Sequence, residues 1–139
     1  MFKKILVGID GSAGSFKAFD KALEMAKKSG AELHTVTVEE LPRNPEVIGE
    51  LIEEKEIKNG VAKRAILQVQ EKADMKGVEV NSSIYAGHEV KTIIELIGAE
   101  VFDLLVIGSM GHSALYDRVM GSTCQSLVRM APCSVLVVK

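Results

Sequence analysis

Residues 103–139 read "DLLVIGSMGHSALYDRVMGSTCQSLVRMAPCSVLVVK". They open on a continuous apolar run, Leu104 to Ile107, and close on another, Val135 to Val138. Between them lie a glycine-bearing segment, Gly108 to Thr123, and a short helical pattern, "STCQSLVRMA", which Pro132 stops. Runs that are apolar at every position, rather than at alternate ones, fit strands buried on both faces, as in a parallel sheet. Strand, loop, helix and strand in this order make one crossover unit of such a sheet.

The same alternation extends back to the N-terminus. "KKILVGI" is a buried strand that ends at Asp10-Gly11. Phe16, Phe19, Ala22, Leu23 and Ala26 recur at helical spacing, with Ser12 or Ser15 as the cap and Gly30 as the stop. "AELHTVTV" is the second strand. Asn44-Pro45 has the form of an N-cap followed by proline in the first turn. A helical pattern then runs to about Lys76, but its apolar stripe loses phase across "EEKEIKNG", so 39–60 reads as a variable excursion. "VEVNSSIY" is the third strand, and "HEVKTIIELIGAE" is a helix with Val90, Ile93, Ile94 and Ile97 on one face.

The resulting order is β-α-β-α-β-α-β-α-β. It predicts an α/β fold: a single doubly wound five-stranded parallel sheet, order 3-2-1-4-5, with helices on both faces, Rossmann-like. Ligands of such sheets bind outside the carboxyl ends of the strands, where the strand order reverses. That crevice is flanked by Asp10-Gly11-Ser12 after the first strand and by Gly108 after the fourth.

The totals narrow the function. The chain has 139 residues, suited to one domain spanning 1–139. A net charge of −2 gives no support to a nucleic-acid partner. No apolar run reaches membrane-spanning length, and Asp10 interrupts the one N-terminal stretch that resembles a leader, so the expected location is cytoplasmic. Cys124 and Cys133 form no CxxC pair and read as reduced, packed thiols. His34 and His88 read as structural or exposed.

Gly108, Gly111, Gly121 and Ser122 are spaced Gly, two residues, Gly, nine residues, Gly-Ser. Glycines let backbone N–H groups approach a ligand, and a helix N-terminus offers unpaired N–H groups to phosphate. The pattern is neither GxxxxGK[ST] nor GxGxxG. Two readings stay open on the residues alone. Either the glycines serve turns and Ser122 caps a helix, or the segment arches over a phosphate-bearing ligand. Arg118 either reaches that ligand or pairs with Asp117 at the surface.

"GSMGHSALYDRVMGSTCQSLVRMAPCSVLVV", with "KKILVGIDGS" and "AELHTVTV", resembles the universal stress protein family over nearly the whole chain, the 39–60 region excepted. The glycine spacing matches the family's ATP-binding branch, G-2x-G-9x-G-[S/T]. The resemblance implies an adenine nucleotide alpha hydrolase-like fold and a regulatory, nucleotide-sensing stress-response homodimer. It would bind ATP or a related adenine nucleotide, with Mg²⁺ or Mn²⁺ on the phosphates. By position, Asp10 would lie by the ribose or base, Ile9 and Val38 would line the adenine pocket, and Gly108, Met110, Gly111 and His112 would wrap the ribose and phosphates. Gly121, Ser122 and Thr123 would bind phosphate oxygens. The family often has proline where Gly8 stands, beside the adenine, and where Ser134 stands.

No Ser-His-Asp order, paired carboxylates or loop lysine marks a catalyst, so no catalytic residue is assigned and no protein metal site is expected. Two alternatives are a slow ATP hydrolase using Asp10 or His112, and a ligand-free dimeric interaction protein. The flat apolar segment Ser134 to Val138 falls at a predicted sheet edge, which only Lys139 guards. It is the expected homodimer seam. A further protein partner stays unknown.

Overall fold

The computed structural model describes residues 1–40, 48–109 and 121–139, with the backbone alone in 48–59. Five strands, β1 (Lys4–Gly8), β2 (Glu32–Glu39), β3 (Val80–Ala86), β4 (Leu104–Gly108) and β5 (Ser134–Val138), alternate with four helices. These are α1 (Ala13–Ser29), α2 (Ile48–Lys76), α3 (Glu89–Glu100) and α4 (Ser122–Met130). The sheet order is β3-β2-β1-β4-β5 and every pairing is parallel, as the apolar runs predict.

β1 lies at the centre of the sheet with β4 beside it, and both can bury their two faces. Ile5, Leu6 and Val7 are fully buried, as are Leu105 and Val106. Their side chains alternate between two cores. Ile5, Val7, Leu104 and Val106 join Phe19 of α1 and Val69 of α2 on one face. Leu6, Leu105 and Ile107 join Ile93 and Ile97 of α3 and Leu127 of α4 on the other. The register sets Ile5 against Leu104 and Val7 against Val106, so β1 and β4 reach their carboxyl ends at the same level.

Local chemistry sets the helix bounds. Ser12 is the N-cap of α1, its Oγ accepting from the Ser15 N–H at 3.2 Å, and Gly30 closes the helix. His88 caps α3, with Nδ1 accepting from the Lys91 N–H. The structural reading of His88 therefore holds. α2 is helical throughout Ile48–Lys76, Gly60 included. The broken stripe pointed to an excursion there, yet the backbone carries straight through. Asn44-Pro45 lies outside the described residues.

Candidate functional site

The carboxyl ends of β1, β2 and β4 open into a cleft of about 450 Å³. α2 forms one wall through Val61, Ala62 and Ala65, and α3 and α4 form the other through Ile93 and Leu127. The cleft therefore spans the top of the sheet at the point where strand order reverses, between β1 and β4.

Six of the residues singled out in the sequence meet there: Asp10, Val38, Gly108, Gly121, Ser122 and Thr123. Ile9 does not. Strand periodicity puts it on the face of Ile5 and Val7, where it is buried in the core, and its N–H donates to the Val36 carbonyl at 2.9 Å. Gly8, one residue earlier, lines the cleft instead. Met110, Gly111 and His112, with Arg118, lie outside the described residues.

Asp10 has a structural duty as well. Its Oδ1 accepts from the Ser12 N–H at 2.9 Å and from the Ser12 hydroxyl, closing the turn that starts α1. Gly11, between them, has φ +83°, a conformation that favours glycine. The cap of α1 and the rim of the cleft are thus one piece of structure.

The phosphate-facing reading of α4 changes in detail. Gly121, not Ser122, is the N-cap, and it supplies no side-chain cap bond. The Gly121 N–H donates to the Ser109 carbonyl at 2.9 Å, and the Ser109 N–H donates to the Val138 carbonyl at 3.0 Å. Gly121 therefore spends its donor on holding the ends of the 109–121 segment together. The first intrahelical bond is from the Gln125 N–H to the Gly121 carbonyl. Ser122, Thr123 and Cys124 occupy the first three helical positions, whose N–H groups have no intrahelical acceptor. All three residues line the cleft.

Asp10, Glu39, Glu40 and Glu89 also line it, and no lysine or arginine does among the described residues. Anion binding there rests on backbone N–H groups, hydroxyls and the positive end of α4. No cluster of three or more metal-ligating side chains occurs among the described residues. Cys124 is buried in the wall, and that burial pushes its thiol pKa up.

Sequence reasoning passed over Thr37, Glu39 and the α2 wall. Strand alternation would have separated Gly8 from Ile9.

The model of the universal stress protein family matches residues 1–139. The chain belongs to the universal stress protein family. A family relative from Bacillus subtilis, universal stress protein YxiE, is 33% identical, the alignment covering 100% of both chains. The structure of universal stress protein UspA from Lactobacillus plantarum superposes with a TM-score of 0.91 at 27% identity, covering 99% of this chain and 98% of that one. A universal stress protein solved in complex with cAMP matches with a TM-score of 0.77 at 25% identity, covering 99% of this chain and 97% of that one. Family membership agrees with the Rossmann-like sheet. Among the described residues, no helix is long and apolar enough to cross a membrane.

Proposed function

We propose that this universal stress protein binds an adenine nucleotide, ATP in the first instance, in the cleft above β1 and β4, and acts as a nucleotide-sensing regulatory module. The observation that carries the reading is the convergence of Asp10, Gly108, Ser122 and Thr123 on one cleft at the N-terminus of α4, where three N–H groups lack intrahelical acceptors. Hydrogen bonds from such groups to charged oxygens are each worth about 1.5–3 kcal/mol. The relative solved with cAMP supports the same ligand class.

The acidic lining gives the cation a role. A polyphosphate entering a cleft that Asp10, Glu40 and Glu89 line meets like charge, which Mg²⁺ or Mn²⁺ on the phosphates would offset. The phosphates themselves would be the main ligands of that cation. Binding is favoured over turnover because one Asp10 oxygen is committed to the α1 turn. Slow hydrolysis remains the alternative, and phosphate release that tracks protein concentration would establish it.

The test is thermal melting with ATP and Mg²⁺. A ligand at about one hundred times its Kd stabilises the fold by about 2.7 kcal/mol. A melting temperature unmoved by any adenine nucleotide would refute the reading and leave the ligand-free interaction protein.

The edge strand supports a second element of the proposal. Val135, Leu136, Val137 and Val138 are only half-buried on β5, which among the described residues pairs with β4 alone. Antiparallel pairing with a second copy would cover them and give a homodimer. A monomeric mass by light scattering at micromolar concentration would rule this out.

A further inference from the structure

Two oxygens on one face of β2 are buried without partners. Thr37 is 7% exposed, and its Oγ1 has no hydrogen bond; Oε1 of Glu39 is likewise enclosed and unpaired. The residues are two apart on a strand, so they share the face that looks toward α2. Both line the cleft. Thr35, the preceding residue on that face, shows the ordinary arrangement: its hydroxyl donates to Ser82 Oγ at 2.8 Å. Buried polar groups are destabilising when unpaired and are satisfied in nearly all folded proteins. Two consecutive exceptions in the wall of one cleft mark a place where a ligand supplies the partners.

We infer that Thr37 and Glu39 read the base, accepting the edge of a 6-aminopurine and rejecting its 6-oxo counterpart. The inference rests on the nucleotide reading of the cleft. A carboxylate only accepts, so Glu39 calls for an N–H donor; a threonine hydroxyl can donate to an adjacent ring nitrogen. Adenine presents that pair, an exocyclic amine beside an acceptor nitrogen. Hypoxanthine and guanine place a carbonyl oxygen where the amine stands, and that oxygen would face the Glu39 carboxylate lone pair to lone pair. The apolar wall of Val61, Ala62 and Ala65 suits the flat face of a ring. Each oxygen is enclosed as it stands, so base reading requires rotation about χ1 of Thr37 and about the terminal bond of Glu39. Val38, whose side chain packs on the opposite face of the sheet, is left with backbone contacts only.

Affinities of the full-length protein for MgATP and for magnesium inosine triphosphate, measured by titration calorimetry, test this. The wild type should prefer ATP by about tenfold or more, the scale of one charged hydrogen bond. Thr37→Val, which keeps the side-chain shape, should weaken ATP binding by about five- to tenfold, and Thr37→Ser should restore it to within about threefold. Glu39→Gln carries an amide that can donate to the 6-oxo group, so its preference should move toward inosine triphosphate. A wild type that binds both triphosphates equally overturns the inference while leaving the nucleotide reading intact. So does a Thr37→Val variant that binds ATP as tightly as wild type, or an unchanged preference in Glu39→Gln. A wild type that binds neither overturns both.

Discussion

A Cβ atom placed on Gly108 would lie 2.8 Å from both the carbonyl carbon and the carbonyl oxygen of Gly14. The end of β4 and the first turn of α1 touch through backbone, with no room for a side chain. The first glycine of the motif is therefore required for packing, whatever it does for a ligand. Gly108→Ala should destabilise the fold by about 1–3 kcal/mol, as backbone must move to relieve the overlap. A melting temperature within a degree of wild type would show that the approach is softer than the geometry states.

Gly8 makes the opposite case from the neighbouring strand. A Cβ there meets Ile107 Cγ2 at 3.5 Å and Ile93 Cδ1 at 4.0 Å, which is ordinary contact, and Gly8 is absent from the residues with positive φ. Gly8→Ala should be neutral or stabilise by up to about 1 kcal/mol, because alanine loses less chain entropy on folding. Denaturant midpoints of the two glycine variants, measured side by side, should differ in sign or in clear magnitude.

The two glycines show where sequence reading succeeds and where it stops. Elements set by local composition were legible: the apolar runs of β1 and β4, the cap at Ser12 and the stop at Gly30. The strand order followed from crossover rules applied to the alternation of elements. The reason for Gly108 was not legible, since it depends on Gly14, a residue far away in sequence. Ile9 was assigned to the pocket by position in a motif, although period-two alternation already directs it into the core. The continuity of α2 was hidden because backbone hydrogen bonds can bridge a stretch whose apolar stripe has lost phase. Thr37 was hidden because only a three-dimensional count of partners shows that its hydroxyl lacks one.

Acid stability should depend on Asp103. Partial burial pushes its carboxyl up, but hydrogen bonds from backbone N–H groups, those of Lys3 to Oδ2 at 2.7 Å and Lys4 to Oδ1 at 3.0 Å among them, hold it on balance below its ordinary value. A folded pKa below the unfolded one gives stability that is complete above the unfolded value, near pH 4. It is lost as pH falls through the folded value. Asp103→Asn should cost about 1 kcal/mol at neutral pH, after allowance for solvent screening, and nothing at the acid end. Melting curves of the two proteins from pH 7 to pH 2.5 should converge; a constant gap would contradict the assignment.

The cysteines report on occupancy of the cleft. Burial raises the pKa of both thiols, with a hydrogen bond from the Leu105 backbone partly offsetting it at Cys133. Less thiolate at a given pH means slower alkylation. Both should therefore react with iodoacetamide more slowly in the native protein than in urea. Cys124 lines the cleft and Cys133 does not. MgATP should slow labelling of Cys124 several-fold and leave Cys133 unchanged, as followed by mass spectrometry of the digested peptides. Equal protection of the two would point to general tightening of the fold rather than to a ligand over α4.

The N-terminus of α4 allows one donor to be removed without disturbing the helix. Ser122 is the first helical residue, a position that proline favours because its N–H is unneeded by the helix. Gly121 precedes it with φ −61° and ψ 154°, the extended conformation that a following proline demands. Ser122→Pro should accordingly melt near the wild-type temperature. It lacks both the N–H and the hydroxyl offered to the cleft, so MgATP affinity should fall about ten- to a hundredfold, the loss of a charge-assisted hydrogen bond. Ser122→Ala keeps the N–H and should lose much less. The ratio between the two variants isolates the backbone donor, so proline and alanine variants with equal affinities would show that the phosphates sit elsewhere than at the head of α4.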